Sequence, residues 1–269
     1  ARAAGRPYVV SPRGNLRTWS MRQKRWKKLP YWHMVERRNF ELAAAVHVTS
    51  SMEKEDLEQL LPTCRALLVP NGVVLPSTTT PIERSARQVV FLGRLHPVKA
   101  LDRLLEAMSL LESSTQGIEL ILAGPDDVDE WRRLSRMLDR LQPRPAVRYI
   151  GPVNGDEKSR LLASSTVLVL PSHTENFGQV VVEALAHGTP VIASRNTPWS
   201  VLEQREAGRW VPNDPLSLAT AIRELVMDPA RARRMSLNGR ALAHEYEWPA
   251  IARAMASMYA DCVTSYREP

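Results

Sequence analysis

Glu175 and Glu183, with seven residues between them, are the side chains of this sequence best suited to hold a hydroxylated ligand. An ionised carboxylate only accepts hydrogen bonds, so two of them together suit a molecule that offers hydroxyl groups. Between them, Asn176-Phe177-Gly178 bring backbone N–H groups to the start of an expected helix, where the peptide dipoles favour an anion such as a diphosphate. Upstream, Gly93-Arg94-Leu95-His96-Pro97-Val98-Lys99 supplies cations. Gly93 permits a tight turn, and Arg94 and Lys99 can reach one anionic group from opposite sides. The segment lacks the Gly-Lys-Ser/Thr of a Walker A loop and is not the dinucleotide fingerprint. Carboxylates for hydroxyls and cations for phosphate together describe a site for a sugar nucleotide. Taken singly, each feature has a plainer reading: an acid at a helix start is common capping, a mid-helix Glu commonly faces water, and two cations can simply be solvated. Their joint placement carries the ligand reading. His173, beside Glu175, is a further candidate contact, with an ordinary loop histidine as the alternative.

The elements that position these groups follow from the hydrophobic pattern. Residues 167–170 form a short apolar run stopped by Pro171, which predicts a buried strand. A polar loop spans 172–178. Residues 179–187 carry Val181, Val182, Leu185 and Ala186 at helical spacing and stop at Gly188, a helix C-terminal signal. A strand restarts at Pro190. Strand, loop, helix, strand is the unit of a parallel sheet with crossover helices, and in open sheets of that kind ligands bind at the carboxyl ends of the strands. The alternation extends over the chain, with strands expected at 88–93, 118–124, 146–150, 166–170, 189–193 and 208–211. Helices are expected at 99–112, 127–141, 156–164, 179–187, 199–205, 215–227, 230–245 and 248–265. Residues 8–10, 46–49 and 66–69 predict three earlier strands, with a helical region broken at Pro30 between the first two.

The charge is unevenly spread. Residues 1–40 hold 11 Lys and Arg against one acid, Glu36, while the remainder holds 25 basic and 28 acidic groups. Within that basic part, residues 17–38 interleave cations with Trp19, Trp26, Tyr31 and Trp32. This composition fits a helix lying on an anionic membrane surface. It also fits phosphate contacts to nucleic acid, which we rank lower and do not expect, and a helix whose apolar face packs on protein. Cys64 and Cys262 show neither metal-ligand spacing nor a disulfide framework, which fits a reducing, cytoplasmic setting. No apolar run reaches the roughly 18 residues of a membrane span.

The block PSHTENFGQVVVEALAHGTPV, residues 171–191, resembles the signature of the family-four retaining glycosyltransferases, the group 1 glycosyltransferases of GT-B fold. VVFLGRLHPVK, residues 89–99, resembles their diphosphate-binding turn. Shorter echoes are VPNGV at 69–73, RYIGPV at 148–153 and YEWPAIA in the final helix. The resemblance covers essentially the whole chain from Pro7. It implies an α/β fold of GT-B type: residues 1–75 as the latter part of an N-terminal acceptor-side domain, 76–87 as a linker, 88–245 as a doubly wound Rossmann-like nucleotide-sugar domain, and 246–269 as a closing helix. The first part of the N-terminal domain is expected to be missing, so the chain is expected to bind donor yet transfer poorly and to self-associate.

The resemblance also implies roles. Glu183 would hold ribose hydroxyls and Glu175 sugar hydroxyls, while Arg94 and Lys99 would neutralise the diphosphate and Val153 would meet the base through its backbone. The expected activity is retaining, metal-independent transfer from a nucleotide-diphosphate sugar to a saccharide or lipid-linked acceptor, with no cofactor. The alternatives are a nucleotide-sugar-binding fragment without turnover and another GT-B enzyme such as an epimerase. Ala100 stands where the family often has glycine. Asp127 and Asp129 form an Asp-x-Asp triplet that in another transferase class would hold a metal; here acids at a helix start explain it. The histidines show no metal-ligand spacing.

Overall fold

A computed structural model of the chain describes residues 5–16, 32–76, 87–112, 115 and 117–265. Residues 17–31 of the basic segment, Pro30 included, and 77–86 of the expected linker lie outside the described residues. The chain forms two compact units, one of residues 1–72, 175–177 and 246–269, the other of residues 73–174 and 178–245.

The first unit holds a three-stranded parallel sheet in the order β1 (Val9–Val10), β2 (Ala45–Val48), β3 (Ala66–Leu68). A π-helical turn, Trp32–Glu36, leads into α1 (Arg37–Glu41), and α2 (Ser51–Leu60) joins β2 to β3. Leu16, Trp32, Phe40, Val46, Val48, Leu57 and Leu61 form its core. Helix α2 starts at Ser50, whose hydroxyl accepts the Glu53 N–H, the capping arrangement expected of Ser three residues before Glu.

The second unit is a six-stranded, fully parallel sheet. Its strands are β4 (Gln88–Leu92), β5 (Glu119–Ala123), β6 (Ala146–Tyr149), β7 (Val167–Leu170), β8 (Val191–Ser194) and β9 (Gly208–Val211), in the spatial order β6-β5-β4-β7-β8-β9. Every residue of β7 and β8 is buried, as a parallel strand covered on both faces must be. The helices are α3 (Leu101–Glu112), α4 (Glu130–Leu138), α5 (Gly155–Ser164), α6 (Gln179–Ala186), α7 (Val201–Gln204), α8 (Pro215–Met227) and α9 (Pro229–His244). Helix α3 packs against α8 and α4, and α6 packs against α9 and α5. The last helix, α10 (Trp248–Ser265), belongs to the first unit, where Ile251 and Met258 pack with Val69.

The end of α6 shows how local signals become structure. Gly188 takes φ +74°, its N–H donates to Leu185, and the Thr189 N–H donates to Ala184. This is the Schellman closure, in which a left-handed residue satisfies the last helical carbonyls. Helix α4 is shorter than the expected 127–141. Asp126 accepts the N–H groups of Glu130 and Trp131, so the helix begins only at Glu130. No helix among the described residues is long and apolar enough to cross a membrane.

Candidate nucleotide-sugar site

Strand order reverses direction between β4 and β7, which makes this the switch point where open α/β sheets bind ligands. The two strands pair only at Val89↔Val167 and Val90↔Leu168. Their outer ladders run further, to Leu92↔Ala123 and Leu170↔Ala193. The central pair therefore parts over its last two residues, at the carboxyl edge where the two candidate loops emerge.

The loop after β4 is tied down by backbone bonds. The Gly93 N–H donates to Ala123 at 2.9 Å, Leu95 to Pro125 at 2.8 Å, and Gly124 to Gly151 at 2.8 Å. Leu95 is fully buried and anchors the loop, while its neighbour Arg94 is exposed. A 3-10 turn follows, Pro97–Lys99. His96 caps it, with Nδ1 accepting the Val98 N–H at 3.1 Å. Ala100 closes the turn in the left-handed region at φ +50°, which explains why glycine is favoured at this position in the resemblance noted above. The His173 N–H donates to the Val98 carbonyl at 2.8 Å. The cationic turn and the loop after β7 are thus joined at Val98, the residue before Lys99, by the backbone of His173.

His96 reports on the electrostatics of this turn. Burial and then the nearby Arg94 push its pKa below the ordinary 6.5, Glu130 pulls it back in part, and Lys99 adds a smaller downward push. A histidine with a lowered folded pKa contributes stability that is present above 6.5 and is lost as pH falls through the folded value. Thermal unfolding should therefore show a drop on acidification below 6.5 that is smaller in His96→Asn, since Asn can keep the cap without titrating. An unchanged acid profile in that variant would show that His96 does not carry this linkage.

Glu183 lies on α6, which starts at Gly178 in the left-handed conformation with no side-chain cap. Its Oε1 accepts from Lys158 Nζ at 3.1 Å, and both side chains are partly buried, 22% and 32% exposed. This pairing answers the need of a carboxylate in an apolar setting for a donor. Lys158 was not singled out in the sequence. Its only signal is topological: α5 precedes β7 and α6 follows it, so consecutive crossovers place them side by side. Val153 is buried in the loop that follows β6.

Glu175, Asn176 and Phe177 are grouped with the first unit. The Phe177 ring lies 6.0 Å from that of Tyr246, and Asn176 Nδ2 donates to Thr49 Oγ1 at 2.7 Å. Asp127 and Asp129 are exposed, and Asp129 lies 3.6 Å from the Arg132 guanidinium. Among the described residues, no group of three or more His, Cys, Asp or Glu side chains is placed to hold a metal ion.

A doubly wound parallel sheet, with a cationic turn on one side of its switch point and a carboxylate-bearing helix on the other, defines a Rossmann-like domain. The chain belongs to the group 1 glycosyl transferases: residues 78–242 match the family described as "Glycosyl transferases group 1", and residues 1–72 match the "Glycosyl transferase 4-like domain". It is 32% identical over 190 residues to a D-inositol 3-phosphate glycosyltransferase of Streptomyces avermitilis, covering 66% of this chain and 40% of that protein. It is 29% identical over 188 residues to a glycogen synthase of Mycobacterium tuberculosis, covering 68% and 44%. The chain thus spans less than half the length of these relatives. Among solved structures, the sucrose-phosphate synthase of Thermosynechococcus elongatus superposes with a TM-score of 0.78 at 28% identity, covering 96% of this chain and 68% of that one. HepE of Anabaena, in complex with UDP and glucose, shares the fold with a TM-score of 0.80 at 19% identity, covering 96% and 72%. The α/β, GT-B character expected from the sequence is the fold observed.

Proposed function

We propose that this protein transfers a sugar from a nucleotide-diphosphate sugar to a saccharide or lipid-linked acceptor, with retention of anomeric configuration and without a metal. The observation that carries the reading is the cationic turn held at the opened switch point of the sheet. In this reading Arg94 and Lys99 take the diphosphate, aided by the N-terminus of α6 at Gly178. Glu183 takes the ribose hydroxyls, and Lys158 holds that carboxylate in place. Glu175 takes the sugar hydroxyls, with His173 and the backbone of Asn176 and Phe177 beside it in sequence, and Val153 meets the base. As the sugar departs, negative charge gathers on the leaving diphosphate. Fixed cations and helix N–H groups stabilise that charge without rearranging, so they act on the barrier itself. Two cations in this role replace the metal that other transferases need. The names of the relatives, which are transferases and synthases, favour transfer over epimerisation or binding alone.

Glu183→Ala is expected to weaken binding of the preferred nucleoside diphosphate by about 1.5–3 kcal/mol, the worth of hydrogen bonds to a charged group. Calorimetric titration checks it, and an unchanged affinity would remove Glu183 from the site. Retention is tested by the anomeric proton signals of donor and product. An inverted product sinks that part of the reading, and a strict requirement for manganese or magnesium sinks metal independence.

The excess of basic residues before residue 40 favours one further reading, a cytoplasmic protein peripheral to an anionic membrane through residues 17–38. Each cation near such a surface contributes about 1 kcal/mol. Salt-sensitive co-sedimentation with anionic but not neutral vesicles is the corresponding test.

A further inference from the structure

Glu53 is 1% exposed, yet it is tied to backbone and side chain on two sides. Its Oε1 accepts the Gly14 N–H at 2.7 Å, and its Oε2 accepts the Thr49 N–H at 2.8 Å and the Thr49 hydroxyl at 3.1 Å. The Thr49 hydroxyl has a single proton, which goes to the carboxylate, so toward Asn176 it can only accept. That fixes the orientation of the Asn176 amide: Nδ2 donates to Thr49 Oγ1 at 2.7 Å, and Oδ1 is turned the other way. Gly14 closes the clamp. A Cβ at Gly14 would lie 3.1 Å from the Asn176 Cβ, and its φ is +83°, so glycine suits both this conformation and the close packing on the Asn176 side chain. One buried carboxylate thus holds both Thr49 and Gly14, and these two hold Asn176.

The oriented amide leaves something undone. Asn176 Oδ1 is buried and has no hydrogen-bond partner among the described residues. A buried carbonyl oxygen without a donor is costly, and such orphans call for an explanation. A hydroxyl from a bound ligand would supply the donor. Asn176 follows Glu175, the residue assigned above to the sugar hydroxyls.

We propose that Thr49 and Glu53 are positioning residues for the sugar of the donor: they orient Asn176 so that its Oδ1 accepts from a sugar hydroxyl, and they fix the Glu175–Asn176 peptide. The inference rests on the donor reading of the previous subsection and adds residues distant in sequence from the signature block.

The test is calorimetric titration of the wild type, Thr49→Val, Thr49→Ser and Asn176→Ala with UDP, GDP and ADP, and with UDP-glucose, GDP-mannose and ADP-glucose. The wild type should bind one of the sugar nucleotides and its parent diphosphate. Thr49→Val should bind that sugar nucleotide about tenfold more weakly, the scale of one or two lost hydrogen bonds, and should bind the diphosphate unchanged. Thr49→Ser, which keeps the hydroxyl, should restore wild-type affinity. Thr49→Val combined with Asn176→Ala should lose no more than Asn176→Ala alone, because both changes break one network. Where Thr49→Val does not fold, Thr49→Ala carries the same comparison. Equal affinity of the valine variant for the sugar nucleotide overturns the proposal, as does an equal loss for the bare diphosphate, which would mark a general structural role. A wild type that binds diphosphate but gains nothing from the sugar also overturns it while leaving the diphosphate reading standing. A wild type that binds none of the nucleotides sinks the donor reading itself.

Discussion

Replacing both Arg94 and Lys99 with alanine is expected to weaken nucleoside diphosphate binding by two orders of magnitude or more, while the corresponding nucleoside binds as before. Each cation would make charge-assisted hydrogen bonds to phosphate, worth roughly 1.5–3 kcal/mol apiece. Together they amount to about 3–6 kcal/mol, and each 1.4 kcal/mol is a factor of ten. The fold should tolerate the change. Arg94 is exposed, and the turn is held by Leu95 and by backbone bonds from Gly93, Leu95 and His173, none of which uses the two side chains. Paired titrations with nucleoside and nucleoside diphosphate separate the possibilities. If both ligands weaken alike, the cations support the loop and do not contact phosphate.

Gly124→Ala should have the largest effect on the fold of the site. A Cβ at this position would stand 2.0 Å from the Gly93 carbonyl oxygen and 2.6 Å from its carbon, both backbone atoms, and the φ is +137°. No rotamer relieves a backbone clash of that size, so the loop after β4 must move. Three bonds depend on its present position: Gly93 to Ala123, Gly124 to Gly151, and the Tyr149 hydroxyl to the Gly124 carbonyl. The expected loss is about 3–5 kcal/mol of stability, the range reserved for strain and broken buried networks, together with loss of diphosphate binding. Gly151→Ala is the matched control. It also has a positive φ, +76°, but a Cβ there meets nothing within 4 Å, so only the intrinsic left-handed penalty of about 1–2 kcal/mol applies. Urea unfolding of both variants decides the matter, and equal stabilities would show that close approach at Gly124 is not what constrains the turn.

The parts of this structure that were legible in the sequence are those governed by neighbours in the chain. Residues 167–170 read as a buried strand because four consecutive apolar residues ended at Pro171, and α6 ended where Gly188 provided the left-handed closure. The cationic turn was visible because its glycine, arginine and lysine lie within seven residues. Boundaries slipped where a side chain, not a periodicity, set the limit. The acids before α4 all favour a helix start, and only the geometry of Asp126 decides that the first turn begins at Glu130. The 3-10 turn before α3 likewise replaced what read as the first residues of that helix, since Pro97 and the left-handed Ala100 punctuate it. Contacts between distant positions left no local trace. Lys158 meets Glu183 from 25 residues away, and Asn176 meets Thr49 from 127 residues away. Nothing local to Glu53 shows that its carboxylate reaches Gly14 as well as Thr49.

Donor binding is tested most directly by calorimetric titration of the chain with UDP-, GDP- and ADP-sugars in the presence of a chelator. One of the three classes is expected to bind saturably at a single site, with the chelator making no difference and Arg94→Ala with Lys99→Ala removing the heat. A chain that takes up none of the three, or one whose binding survives the loss of both cations, would contradict the assignment of this turn as the diphosphate site of a sugar-nucleotide-dependent transferase.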